Sequence, residues 1–199
     1  MDLGKNEMVI PNSLILPIPL GQTATPGDVI LTWWQSGSGM QRAIVVEGGT
    51  ETEPMVRYLD ITYENPSGWG QKTDRCRPNT FYKLESPFQL GTTVAVKDPR
   101  FPQQASRAQI VAEADDRYLV LGFAGRISVA QKADCVALPI KPELMPEDTV
   151  LSTTTFARLE KVTVSKVAPE IGRVFIRYTS AGKERELAVP YGNITTELP

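Results

Sequence analysis

The chain of 199 residues contains no histidine. That absence removes Ser-His-Asp and Cys-His catalysis and the commonest metal ligand together. Cysteine is nearly as scarce. Cys76 and Cys135 stand without a CxxC pair, and two thiols cannot complete a zinc site. They read either as two separate thiols, with Cys135 in an apolar strand, or as a bridge formed in an oxidising compartment. Long apolar runs are missing as well. The longest, Leu14 to Leu20, is broken by Pro17 and Pro19 and falls well short of the roughly 20 residues a bilayer helix needs, so no membrane span is expected. No basic stretch leads into an apolar one at the N-terminus, so no signal peptide is visible. The expectation is a soluble protein, cytoplasmic, or periplasmic or secreted if a leader has been removed. Neither sign of charge dominates: 21 Lys and Arg face 23 Asp and Glu, with no basic cluster. Nucleic-acid binders draw much of their affinity from such clusters, so nucleic acid is not the expected partner.

What the sequence does have is punctuation. Sixteen prolines and fifteen glycines favour short strands and many turns over long helices. From Gly27 to Asp60 the chain reads as a β-branched and aromatic strand (Asp28 to Trp34), a Gly/Ser loop (Gln35 to Gly39), a second strand (Arg42 to Glu47), an acidic turn and a third strand from Met55. A long excursion, Asn65 to Asn79, precedes a closing strand, Thr80 to Leu84. The layout returns from Gly91, with a loop expected over Asp98 to Ser106, and again from about Pro146. The spacings agree: Gly27 to Arg42, Gly91 to Arg107 and Pro146 to Lys161 are 15, 16 and 15 positions. From those basic residues to Val56, Leu119 and Val174 are 14, 12 and 13 more.

The implied fold is all-β: three small barrels in tandem, over 27–86, 87–140 and 141–199, behind an extended N-terminal arm, 1–26. A unit of this size is small for a core of its own, so neighbouring units are expected to lend one another buried surface within one elongated, rigid body. Closing five short strands into a barrel also removes exposed edges.

The first repeat resembles the Tudor and Agenet group of SH3-like barrels. Gly27-Asp28, Trp34, Gly37 to Gly39, Arg42-Ala43-Ile44-Val45 and Val56-Arg57-Tyr58-Leu59-Asp60 stand where those domains carry their short motifs. The resemblance covers 27–65 and extends to the other repeats in layout only. It implies three SH3-like (Tudor-like) barrels, and an aromatic cage for a methylated Lys or Arg, in which ring faces attract a desolvated cation. Carried over, the cage residues are Trp34 and Tyr58, with Tyr63 and Asn65 beside the next loop and Asp60 supplying charge. Gln41 replaces the aromatic usual before Arg-Ala, and Ile61-Thr62 replaces Tyr-Gly. The later repeats place Asp98 and Thr154 where Trp34 sits, so at most one cage is expected.

Several candidates carry a plainer alternative. Trp33 and Trp34 are adjacent and face opposite sides of a strand, and both can serve packing; Tyr58 can equally be core. Trp69, between two glycines in the long excursion, is either a lid anchor or a recognition residue. Glu51, Glu53, Asp115 and Asp116 sit at turns, where solvation explains them. Ser36 and Ser38 lie in a loop with no histidine to act as base. No catalytic residue, metal or cofactor is therefore expected. Two functional readings follow: a non-catalytic adaptor that binds a protein or peptide ligand, or a bacterial envelope scaffold or cell-wall-peptide binder of SH3-like type.

Overall fold

Short runs of Val, Ile, Leu and aromatics between glycine and acidic turns favour strands that end within a few residues. The computed structural model describes residues 12, 15–33, 40–60, 73–98, 101–154 and 158–199. Among them the chain is all-β, with a few 3-10 turns and no α-helix. No helix among the described residues is long and apolar enough to cross a membrane.

The strands form three antiparallel sheets, taken in chain order. Sheet I holds β1 (Val29–Trp33), β2 (Met40–Val46), β3 (Met55–Tyr58), β4 (Asp74–Arg75) and β5 (Phe81–Lys83). Sheet II holds β6 (Thr93–Asp98), β7 (Phe101–Ala114), β8 (Arg117–Leu121), β9 (Ile127–Gln131) and β10 (Cys135–Ala137). Sheet III holds β11 (Thr149–Thr153), β12 (Leu159–Ala168), β13 (Arg173–Ser180), β14 (Lys183–Pro190) and β15 (Ile194–Thr195). In each, the first four strands form a meander and the fifth pairs back on the first, giving orders β4-β3-β2-β1-β5, β9-β8-β7-β6-β10 and β14-β13-β12-β11-β15.

The repetition extends to single hydrogen bonds. Gly27 N–H donates to Val45 O while Val45 N–H donates to Asp28 O. Gly91, Ile110 and Thr92 repeat this pair, and so do Glu147, Val164 and Asp148. The opening residue of each motif has a left-handed backbone, with φ of 90° at Gly27, 89° at Gly91 and 73° at Glu147. Glycine adopts that conformation without a Cβ clash; Glu147 adopts it against one. Arg42, Arg107 and Lys161 lie opposite Leu31, Ala95 and Leu151, each the third residue of its first strand. Directly beyond Ile110 and Val164 the register slips against the third strand, a bulge that bends β7 and β12.

Two local expectations need correction. The sequence reading places a loop over Asp98 to Ser106, yet β7 already begins at Phe101, and Ala105 and Ser106 pair with Lys97 and Val96. Proline discouraged a strand assignment there, but at the start of a strand it costs no ladder bond. The long excursion also yields a short strand, β4, at Asp74–Arg75, which pairs with Met55 and Val56.

Each of the three sheets contacts the other two. Sheet I buries both faces. Ile30, Ala43, Val45, Val56, Tyr58 and Phe81 make its own core. The opposite face, Val29, Leu31, Ile44 and Leu59, joins Val162, Val164, Val174, Ile176 and Val189 of sheet III in one continuous cluster. Period-2 alternation along β1 and β2 feeds these two cores from the same strands. Sheet II keeps a separate core around Val94, Ile110, Tyr118 and Val120, and meets sheet III where Leu159 packs on Ala95, Ala105 and Leu138. Residues 15–26 are tied to sheet I through Ala24 N–H to Glu51 O, and through the Gln22 side chain, which accepts from Lys83 N–H.

Close approach at the junctions rests on glycine. A Cβ on Gly172 would lie 2.7 Å from Leu59 Cδ2, and one on Gly91 would lie 2.8 Å from Leu31 Cδ2. A Cβ on Gly192 would collide with the Arg42 guanidinium.

Candidate binding cleft and the junction beside it

Arg42 leaves β2 on the face turned toward sheets II and III, and Asp60 follows β3 on the same side. The guanidinium grips the carboxylate as a fork, with Nε to Oδ2 at 2.6 Å and Nη2 to Oδ1 at 2.5 Å. Its remaining nitrogen, Nη1, donates to the Tyr191 carbonyl of sheet III at 2.8 Å. Arg107 of β7 reaches the same carboxylate, Nη2 to Oδ1 at 3.0 Å. Arg173 of β13 donates to Tyr58 O at 3.2 Å, and Thr93 Oγ1 donates to Gly192 O at 2.6 Å. Arg42 of sheet I and Arg107 of sheet II thus converge on one carboxylate, and sheet III joins beside it through the Tyr191 carbonyl that Arg42 also holds. Burial alone would raise the Asp60 carboxyl, but the Arg42 and Arg107 cations outweigh it and hold the group down at about 2.

Two of the six residues singled out from the sequence are therefore placed in structural roles. Asp60 spends both oxygens on the junction. Tyr58 is 4% exposed within the core of sheet I, and its hydroxyl donates to Trp33 O at 3.1 Å. Trp34, Tyr63, Asn65 and Trp69 lie outside the described residues. The adjacent tryptophan, Trp33, is 55% exposed at the end of β1.

A cleft of about 740 Å³ opens on sheet II, within the range of ordinary ligand pockets. It lies between the paired strands β6 and β7, at Lys97, Asp98 and Ser106, and the β8–β9 connection, at Gly122, Phe123 and Arg126. The local reason is the β8–β9 turn. Ala124 (φ 56°) and Gly125 (φ 75°) fold it tightly, and Gly122 N–H donates to Arg126 O at 2.8 Å. Phe123 and Arg126 are left standing at the mouth.

The cleft is mixed in character. Val120 and Ala130 form its apolar wall, and Asp98 and Asp134 bring carboxylates. Lys97, Arg107 and Arg126 bring cations. Arg107 is held by Asp60 through Nη2, while its buried Nε has no hydrogen-bond partner. Lys97 and Arg126 make no ion pair among the described residues. Asp60 is shared between Arg42 and Arg107, so the lining keeps three cations, Lys97, Arg107 and Arg126, against the two carboxylates Asp98 and Asp134, with Arg126 exposed at the rim.

Both cysteines are buried and free. Cys76 Sγ donates to Thr32 Oγ1 at 3.5 Å in the core of sheet I; Cys135 Sγ donates to Gln131 O at 3.3 Å in sheet II. Burial pushes both thiols up, Cys135 to about 11. Among the described residues no three His, Cys, Asp or Glu side chains gather in a way that could hold a metal ion.

The sequence reading did not single out Phe123, Arg126, Ile127 or Val129. The available signal was the uncharged ISVAQ strand following a Gly-Phe-Ala-Gly turn, a pattern that looks the same for a core strand as for an exposed one. Compared with known proteins, the sequence matches no family model and no curated protein.

Proposed function

We propose that the chain is a non-catalytic binding protein of three SH3-like units, and that it takes a segment of a protein or peptide ligand in the cleft of sheet II. The observation that carries this reading is the cleft itself: a cavity of peptide size, lined by apolar walls and bordered by Lys97 and Arg126, neither of which makes an ion pair among the described residues. The thrice-repeated strand order, with the fifth strand returning to the first, supports the SH3-like assignment. Small β-barrels of this kind present ligand sites beside strand connections, and the cleft borders the β8–β9 connection.

The test is selection of a random peptide library on the intact protein, with Lys97→Glu/Arg126→Glu as the comparison. Peptides are expected to be enriched, and to lose about tenfold or more in affinity for the double variant, which removes two charged contacts. Equal binding to both proteins would remove the cleft from consideration.

A second reading, a structural scaffold in an envelope assembly, is favoured by one observation. Tyr58, Asp60 and the apolar back of sheet I are all spent on joining the sheets into one body. It predicts that no peptide is enriched at the cleft.

A further inference from the structure

The three fourth strands occupy the same outer position in their sheets, yet only one of them is left without protection. β4 is two residues long and charged, Asp74–Arg75. β14 opens with Lys183, Glu184, Arg185 and Glu186, all exposed. Short length and charge are the usual means of keeping an edge from pairing with another chain. β9 has neither: its sequence is Ile-Ser-Val-Ala-Gln, and Ile127 and Val129 are each 62% exposed on one face. Among the described residues nothing pairs with its outer side.

The hydrogen bonds bracketing the β8–β9 ladder show which backbone groups are open. Gly122 N–H donates to Arg126 O, and Lys132 N–H donates to Asp116 O, both at 2.8 Å. Alternation between these two ends turns Ser128 and Ala130 toward β8, and turns the N–H and C=O of Ile127, Val129 and Gln131 outward. Gln131 O already accepts from Cys135 Sγ, so the open edge offers three donors and the carbonyls of Ile127 and Val129, next to an apolar strip that continues to Phe123, itself 59% exposed.

We infer that the ligand of the cleft is an extended segment of another protein that adds to β9 as a further antiparallel strand, alternates apolar residues, and carries a carboxylate for Arg126. This rests on the cleft of sheet II being the binding site. Main-chain bonds to the edge would supply affinity, and side-chain contacts with Ile127, Val129 and Phe123 would supply register. Charge decides between a foreign segment and a second copy. Arg126 has no ion pair among the described residues, and β9 contains no acid, so pairing β9 with its own copy brings it no carboxylate from the added strand. An acidic segment does.

The experiment uses individual peptides enriched from the random library, measured by fluorescence anisotropy on the intact protein. The expected consensus alternates apolar residues and includes Asp or Glu. N-methylation of two alternate backbone amides should weaken binding about tenfold in one phase of the alternation and little in the other. Val129→Lys, an exposed change that copies the charged edge of β14, should abolish binding while leaving the thermal melt unchanged. Arg126→Glu should shift selection toward basic peptides. If peptides bind and respond to Lys97→Glu/Arg126→Glu, but not to N-methylation or Val129→Lys, strand addition is overturned and the cleft reading stands. If no peptide is enriched, both are overturned. If the protein forms a dimer in sedimentation that Val129→Lys dissolves, the occupant is a second copy and the foreign segment is overturned.

Discussion

Replacing Asp60 by Asn keeps the shape of the side chain and removes the one negative charge that Arg42 of sheet I and Arg107 of sheet II share. The loss has two components. The carboxyl falls from its ordinary 3.8 to about 2 in the folded chain, which corresponds to about 2.4 kcal/mol of stability at neutral pH. Arg42, whose side chain is only 3% exposed, is then left with a buried charge and no counter-ion. Removing one member of a buried pair costs about 3–5 kcal/mol in other proteins. The expected destabilisation at pH 7 is therefore about 2–5 kcal/mol, read from urea unfolding followed by tryptophan fluorescence, with the slope against urea unchanged. The pH dependence gives the sharper check. A depressed carboxyl contributes fully above its unfolded value and loses that contribution as pH falls from about 4 toward 2. About 1 kcal/mol of the 2.4 is gone by pH 3. The gap between wild type and Asp60→Asn should narrow by that amount between pH 7 and pH 3. Asp28, also held down to about 2, titrates in both proteins and drops out of the comparison. A penalty below about 1 kcal/mol at pH 7, or one identical at the two pH values, would refute the view that this carboxylate joins the sheets.

Two further outcomes follow from the junctions and the thiols. Gly172→Ala should cost roughly 2–4 kcal/mol, combining a left-handed backbone at φ 62° with a Cβ 2.7 Å from Leu59. Gly182→Ala, at φ 71° but in open space, should cost only about 1 kcal/mol, and equal melting temperatures for the two variants would contradict the close-approach argument. With both thiols buried and Cys135 raised to about 11, a thiol reagent at pH 8 should label neither in the native protein and both in urea; rapid native labelling would count against their placement.

How much of this was legible beforehand differs from residue to residue. The strand at Thr149–Thr153 falls where its β-branched residues put it, because strand propensity and the preceding Pro146 act locally. The matched register of Arg42, Arg107 and Lys161 could be read from spacing, since equal lengths of chain around equal turns return to equal places. Tyr58 and Asp60 were visible as candidates but not as to role. An aromatic and an acid after a strand look alike whether they face a ligand or a neighbouring sheet. The groups that decide the matter, Arg107 and the Tyr191 carbonyl region, are 47 and 149 positions from Asp60 and Arg42 respectively.

The sequence by itself determined that the chain is built of strands, where most of them run, and that the same plan recurs. Those properties depend on contacts between near neighbours and on backbone conformations that each residue favours or forbids. Tertiary structure alone decided that the outer face of sheet I is interior, that Asp60 ties sheet I to sheet II, and that β9 keeps an open edge. Each of these depends on which surfaces meet after folding. Burial is a property of the neighbour as much as of the residue, and no run of adjacent letters records the neighbour.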